Sequence, residues 1–117
     1  NDYAFLQHNT DGNFIIAADN PAQNGQLIFA SGNANHRAKF NASGHFLPVS
    51  DNTYDLGTSS ERWRNLYTTD LQLSNEGKTN DVDGTWGNYT IQEGESDLFL
   101  INNRNGKKYK FNLTEVS

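Results

Sequence analysis

The apolar residues of this chain come in short runs that follow turn signals. Residues 14–16 follow an Asp-Gly-Asn sequence at 11–13, and residues 27–29 follow Asn24-Gly25. Apolar runs of strand length separated by Gly-containing turns are typical of antiparallel or meandering β structure. Asn occurs 17 times, and it tolerates left-handed backbone and hydrogen-bonds the backbone of its own turn. The sequence therefore predicts a mainly β fold of short strands and hairpins.

A single copy of the chain has little apolar material from which to build a core. Hydrophobic residues make up 34% of its 117 residues, and its mean hydropathy is −0.81. Burial stabilises by about 25 cal/mol per Å² of apolar surface, whereas ordering costs roughly 1.5 kcal/mol per residue. For a polar chain of this size the two contributions nearly cancel. We therefore expect several copies to assemble and bury apolar faces between them.

The composition argues against several classes of protein. Without Cys the chain forms neither a disulfide nor a thiolate metal site. The sequence also contains no run of 18 apolar residues, the length that a membrane-spanning helix needs. The net charge of −5 argues against nucleic-acid binding, which needs Lys and Arg to neutralise phosphates. Because the sequence lacks an initiator Met, we expect it to be part of a longer protein.

Three segments are predicted along the chain: a β-rich segment at 1–50, a joint of turn, helix and strand at 51–75, and a C-terminal hairpin region at 76–117. In the joint, a Ser at 59 or 60 can cap the start of a helix. Trp63, Leu66 and Tyr67 follow at the spacing i, i+3 and i+4, which places all three on one helical face. We expect one short helical turn, held by the packing of that face, because the run is too short for an isolated helix.

After the joint, alternation of apolar and polar residues predicts further strands. Residues 69–73 form a predicted strand with Leu71 and Leu73 on its buried side, and residues 74–88 form a polar loop. Asn105-Gly106 predicts a hairpin with a type I′ turn, since Asn-Gly is the preferred pair for that turn. The remaining predicted strands cover 88–92, 97–102 and 107–116, the last with Tyr109, Phe111 and Leu113 on one face.

No motif of metal binding or catalysis is convincing. His8, His36 and His45 are far apart in sequence, and no pair has a metal-ligand spacing. Residues 80–84 faintly resemble the start of a calcium loop but lack its third spaced oxygen ligand and its closing Glu, which favours a polar turn. The carboxylates are scattered, and no Ser lies in a nucleophile-elbow motif. We predict that the chain is not an enzyme and takes no metal or cofactor.

Two pairs of residues are candidates for surface binding, and each has two interpretations. Lys108 and Lys110 are suited to anionic polysaccharide or lipid head groups, or are solvated residues that guard an edge strand. Trp86 and Tyr89 are suited to stack on a sugar ring, or are aromatic residues that cap the start of a strand.

Residues 46–67 resemble a motif of tailed-bacteriophage tail fibres and tail spikes. That motif is a Pro-containing lead-in, then DNxYDLGSSxxRWxNLY, then an alternating strand. In the core of the motif, Thr58 stands where Ser is usual. The C-terminal part of the chain also looks like the C-terminal region of phage structural proteins, so the resemblance covers about residues 44–116. The matching residues are 46–48, 51–57, 59–60, 62–63 and 65–67, followed by 84–94, 98–102 and 108–111.

The resemblance implies an intertwined homotrimeric fibre segment on the outside of a virion. We expect the chain to be a virion structural protein near the end of a tail fibre that attaches to host surface polysaccharide or another receptor and contacts other virion proteins. The alternatives are a head fibre, collar or other decoration without a receptor role, and a fragment of a polysaccharide-degrading tail spike. The family's catalytic residues lie in separate domains, so none is carried over. The expected trimer interface consists of Trp63, Leu66, Tyr67, Leu71, Leu73 and Phe111.

Overall fold

The computed structural model describes residues 2–117, which form nine β-strands and no helix. The chain divides into two compact units, the first ending at Arg62 and the second beginning at Trp63. The prediction of a mainly β chain of short strands and hairpins is confirmed. The strands are β1 Tyr3–His8, β2 Phe14–Asp19, β3 Leu27–Ser31, β4 Asn35–Phe40, β5 Phe46–Pro48, β6 Leu71–Ser74, β7 Asn88–Glu93, β8 Leu98–Asn102 and β9 Lys108–Lys110.

Every strand pairs antiparallel with at least one strand next to it in the chain, and the nine strands form three separate sheets. In the first unit, β1 and β2 form a two-stranded hairpin, and β3, β4 and β5 form a three-stranded meander. In the second unit, β6 to β9 form a four-stranded meander in chain order. Connections between consecutive strands keep all hydrogen-bonded partners close in sequence, as the short runs and frequent turns predict.

Two hairpins of the first unit are closed by the same asparagine-based turn. The side-chain Oδ1 of Asn9 accepts hydrogen bonds from the backbone N–H groups two and four residues later, at 3.0 and 3.1 Å. Asn41 does the same at 3.1 and 3.0 Å. Three residues after each Asn lies a glycine with a left-handed backbone, Gly12 at φ +84° and Gly44 at φ +86°. The Asn side chain therefore replaces the backbone partners that the turn cannot provide.

The C-terminal hairpin forms as predicted, but its turn is not of type I′. That turn needs a left-handed backbone at two consecutive residues, whereas the loop has only Gly106 in that region, at φ +75°. Asn102 closes a longer loop instead, because its carbonyl accepts the N–H of Gly106 at 2.8 Å and its N–H donates to Lys107 at 2.9 Å. The side chains of Asn102 and Asn105 satisfy two further N–H groups of the loop.

The predicted strand at 107–116 is also too long, because β9 ends at Lys110. One further backbone bond, from the Phe111 N–H to the Leu98 carbonyl at 3.0 Å, ends its pairing with β8. The strand β8 begins at Leu98, so residues beyond Phe111 have no strand opposite them.

The prediction of a helical turn in the joint is wrong. The backbone N–H of Thr58 donates to the carbonyl of Glu61 at 2.9 Å, and the Thr58 hydroxyl accepts the Glu61 N–H at 2.9 Å. These bonds close a tight turn and occupy the carbonyl that a helix would offer to Asn65. Trp63, Leu66 and Tyr67 are 71%, 69% and 89% exposed, so packing within the chain does not stabilise a helix either.

One face of the β6–β9 sheet is apolar. Leu71, Ile91, Leu100 and Tyr109 lie opposite one another across the four strands and therefore share a face. We call this the apolar face; it also includes Leu73, Tyr89 and Leu98. Leu71 and Leu73, which the sequence places on a buried side, are thus on one face together and are exposed in the single chain.

The opposite face of this sheet has a polar network at its centre. Thr90 is only 6% exposed, and its hydroxyl donates to the Gln72 side-chain oxygen at 2.7 Å. The same hydroxyl accepts a bond from the Asn103 side-chain amide at 2.9 Å. Among residues 2–117 no hydrophobic side chain is buried to this degree. The second unit therefore holds its most buried contacts by hydrogen bonds.

We expect Thr90→Val to lower the free energy of unfolding by about 1–3 kcal/mol, because it removes two hydrogen bonds that contribute about 0.5–1.5 kcal/mol each. Urea denaturation followed by tryptophan fluorescence would measure the change. Thr79→Val is the matched control, because Thr79 is exposed in the loop before β7. Equal stability losses in the two variants would contradict a structural role for the network.

Candidate functional site

The long loop before β7 is fixed at both ends. The Asn75 side-chain oxygen accepts the N–H of Gly87 at 2.8 Å, and the Asn75 N–H donates to the Gly87 carbonyl at 3.3 Å. Residues 76–86 therefore form a loop whose two ends are joined by these hydrogen bonds. This confirms the predicted loop and places its side chains beside the start of β7.

Within this loop, Asn80 organises a tight turn. Its side-chain oxygen accepts the N–H groups of Val82 and Asp83 at 2.8 and 2.9 Å. Its amide donates to the Asp83 carboxylate at 2.8 Å and to the Thr85 carbonyl at 2.9 Å. The segment that faintly resembles a calcium loop is thus a turn with internal hydrogen bonds.

The Asp83 carboxylate is anchored through one of its two oxygens. Its Oδ1 accepts the hydroxyl and the N–H of Thr85 at 2.7 and 3.1 Å, in addition to the Asn80 amide. Hydrogen bonds from Thr85, then Asn80, hold the pKa of Asp83 below its ordinary value. Within the part of the chain that the structure describes, the other oxygen, Oδ2, accepts no hydrogen bond from the protein. Asp83 is an ionised, oriented acceptor at the surface.

Trp86 is held by a residue from the C-terminal hairpin. The guanidinium carbon of Arg104 lies 3.6 Å from the centre of the Trp86 ring, and Arg104 Nη1 donates to the Trp86 carbonyl at 3.0 Å. A guanidinium at this distance is attracted by the electron-rich face of the indole. The pair fixes the half-buried Trp86 and covers part of its surface.

Tyr89 folds back over a glycine. A Cβ added to Gly87 would lie 2.7 Å from a ring carbon of Tyr89, so only glycine leaves room for this ring position. The Tyr89 hydroxyl also accepts a bond from the Asn102 amide at 3.3 Å. Both aromatic residues therefore have defined positions.

Two open cavities lie beside these aromatic residues. The first, of about 450 Å³, is lined by residues of β6, the loop and the start of β7. The second, of about 460 Å³, lies between the loop and the C-terminal hairpin and includes Arg104. Both fall within the 300–1,000 Å³ typical of small-molecule sites. Trp86, Gly87, Tyr89 and Thr85 line both cavities.

The structure brings together one of the two pairs of predicted binding residues. Trp86 and Tyr89 share a site, whereas Lys108 and Lys110 lie on the far edge strand. These lysines are opposite Ile101 and Phe99, on the face of the sheet that carries Thr90. Lys110 approaches Asp97 at 4.0 Å, and both side chains are exposed, so this pair contributes little.

The predicted interface residues fall into two groups. Leu71 and Leu73 belong to the apolar face, and Phe111 directly follows β9. Trp63, Leu66 and Tyr67 lie in the irregular segment before β6. All six are exposed in the single chain.

Sequence reasoning did not identify Arg104, Asp83 or Asn75 as parts of the site. Arg104 lies 18 residues after the indole that it covers. No spacing rule signals such a contact, although the predicted hairpin indicates that residues 103–106 form one exposed turn. The acidic turn was visible in the sequence, but its position beside Trp86 depends on the closure of the loop by Asn75.

Among residues 2–117, no group of three or more His, Cys, Asp or Glu side chains is arranged to hold a metal ion. The described residues also contain no helix with the length and apolar character needed to cross a membrane.

Arg104→Ala should expose Trp86, because it removes the group stacked on the indole. In a Trp63→Phe background, where Trp86 is the single tryptophan, we expect a red-shifted emission and stronger quenching by acrylamide. The lost stabilisation should be about 0.5–2 kcal/mol. Arg64→Ala in the same background is the control, and an equal response to both changes would contradict the stacking.

The Asp83 turn should depend on pH in a defined direction. Because the pKa of Asp83 is lowered in the folded chain, the turn is stabilised above the ordinary Asp pKa. This stabilisation is lost as the pH falls through the lowered value. NMR titration of the Asp83 carboxyl carbon should show the lowered pKa. Asn80→Ala should move it upward by removing one donor, and an unchanged pKa in that variant would contradict the assigned cause.

Comparisons of the chain with protein-family models, with curated proteins and with solved structures find no match.

Proposed function

We propose that this chain is a virion structural protein, a segment at or near the C-terminal end of a homotrimeric phage tail fibre that attaches to glycans of the host surface. The proposal combines the fibre-like motif at 46–67 with two properties of the fold. One is the amount of apolar surface that a single chain leaves uncovered. The other is the aromatic and polar site beside Trp86.

Uncovered surface is the observation that carries the proposal. The chain exposes 10377 Å². Two separate compact units of half its mass would together expose about 7,700 Å², so the excess is about 2,700 Å². Obligate protein interfaces bury roughly 2,000–5,000 Å² in total. In a threefold trimer each chain gives half of two such interfaces, and the excess is of the size that this assembly would remove.

In the proposed trimer, neighbouring copies would cover the exposed apolar residues of the second unit. The row from Leu71 through Ile91 and Leu100 to Tyr109 crosses all four strands of the apolar face and is the part that a neighbouring copy would cover, whereas Tyr89 lies beside this row at the cavity next to Trp86. Trp63, Leu66 and Tyr67 add a second exposed apolar group. Closed symmetry around a threefold axis would bury equivalent residues of every copy together. Such contacts would take the place of the core that the single chain lacks.

The glycan-attachment part of the proposal is supported by the site beside Trp86. Sugar sites combine aromatic surfaces with a few oriented polar groups. Here Trp86 and Tyr89 supply the aromatic surfaces, and Asp83 supplies an oriented carboxylate.

We expect multi-angle light scattering to give three times the chain mass of 13.1 kDa. Trp63→Ala should weaken the trimer, since loss of a buried Trp typically costs about 3–5 kcal/mol and each trimer would lose three. Val82→Ala is the control, because Val82 is 96% exposed in a turn. A stable wild-type monomer would contradict the trimer. A Trp63→Ala chain that assembles and melts normally but no longer binds host cells would show that Trp63 acts in binding instead.

Two assays separate attachment from the alternatives. A glycan array or a host-adsorption assay with the purified chain should show binding, whereas a virion decoration without receptor role should show none. Release of reducing sugar from host polysaccharide, abolished by a single carboxylate substitution, would instead support a fragment of a polysaccharide-degrading spike.

A further inference from the structure

The cavity between β6 and the long loop combines apolar, aromatic and acidic groups around a space of about 450 Å³. Its volume suits one or two sugar rings, being within the range of ordinary small-molecule sites. Asp83, Thr85, Trp86 and Tyr89 line it.

We propose that this cavity binds a neutral hexopyranose unit of a surface glycan, with Asp83 as acceptor for sugar hydroxyls and Trp86 and Tyr89 as the apolar contact. This inference deepens the proposed attachment function and depends on it. It assigns a specific site and a class of sugar, where the fibre resemblance alone gives neither.

Asp83 determines the polar part of the site. Its Oδ1 is used by Asn80 and Thr85, which fixes the carboxylate in the turn. Asp83 is exposed, and its Oδ2, which accepts no hydrogen bond from residues 2–117, is left to accept hydrogen bonds from a ligand. An ionised carboxylate can only accept hydrogen bonds, and bonds to a charged acceptor are stronger than neutral ones. Neighbouring hydroxyls of a hexopyranose provide such donors.

Trp86 and Tyr89 determine the apolar part. Arg104 holds the indole at 3.6 Å, and Gly87 leaves the space into which the Tyr89 ring fits. The two rings therefore lose little freedom when a ligand binds, which lowers the entropic cost of binding. The C–H groups of a pyranose ring can pack against such surfaces, while its hydroxyls reach Asp83.

Charge sets the selectivity for neutral sugars. Asp83 is the one charged side chain among the described residues that line this cavity, whereas Arg104 lines the neighbouring one. Lys108 and Lys110 lie on the other face of the sheet. A sugar that carries a carboxylate would meet Asp83 without a compensating cation and would be repelled.

The test is an NMR titration of the complete ¹⁵N-labelled chain with methyl glycosides of glucose, galactose and mannose. The methyl glycoside of galacturonic acid is the acidic match of the galactose probe. At least one neutral glycoside should shift the Trp86 indole and the amides of residues 80–87, with a Kd on the order of 1 mM. The Trp63 indole should not move, and the acidic glycoside should bind at least about tenfold more weakly.

Two variants of the same turn sharpen the test. Asp83→Asn keeps an acceptor for Asn80 and Thr85 but removes the charge, and it should weaken binding at least about tenfold. Asp81→Asn removes the same charge from a residue that does not line the cavity, and it should leave the Kd unchanged.

The inference is overturned if none of the neutral glycosides shifts these signals at 50-fold their expected Kd. It is also overturned if Asp83→Asn binds as well as the wild type, or if the acidic glycoside binds more tightly. Light scattering and host adsorption are measured on the same samples. A trimer that adsorbs to cells while failing the sugar titration overturns only this site, whereas a monomer that does not adsorb overturns the proposed function.

Discussion

Asparagine side-chain oxygens that accept hydrogen bonds from the backbone N–H groups of their own turns define the structure of this chain. Asn9 and Asn41 close two hairpins with the same set of bonds, and Asn102 closes the C-terminal one with its backbone and its side-chain oxygen. Asn80 does the same for the turn in the long loop. These bonds join residues a few positions apart, so each hairpin is specified locally and with little loop-closure entropy. The structure is therefore specified mainly by its turns and not by a hydrophobic core.

This dependence on turns has a consequence for stability. The strands meet in single sheets, and among residues 2–117 the most buried side chain is the polar Thr90. A sheet with an uncovered apolar face is stable only when another layer covers it. In the proposed trimer, that layer comes from other copies of the chain. A chain of polar composition can then gain hydrophobic stabilisation when its copies assemble.

Hydrogen bonds of asparagine side chains also shape the candidate site. Asn75 closes the long loop, and Asn80 orients Asp83 within it. Arg104 and Gly87 then fix the two aromatic rings. Each of these contacts is weak alone, but together they place an acceptor and two apolar surfaces around one cavity. Rigid placement of few groups is what distinguishes a binding site from an exposed polar loop.

Most of the strands, the C-terminal hairpin and the long loop are predictable from the sequence, because apolar alternation and turn-forming residues act between near neighbours. The prediction failed at residues 59–67, where the Thr58–Glu61 bonds compete with a helix whose apolar face has no cover within the chain. The type I′ turn failed because asparagine side chains offered the loop another set of bonds. Residue type alone drew attention to Trp86 and Tyr89. The contact of Arg104 with Trp86 and the position of Asp83 beside it depend on tertiary structure, because strand pairing and closure of the long loop bring together residues that no sequence period connects.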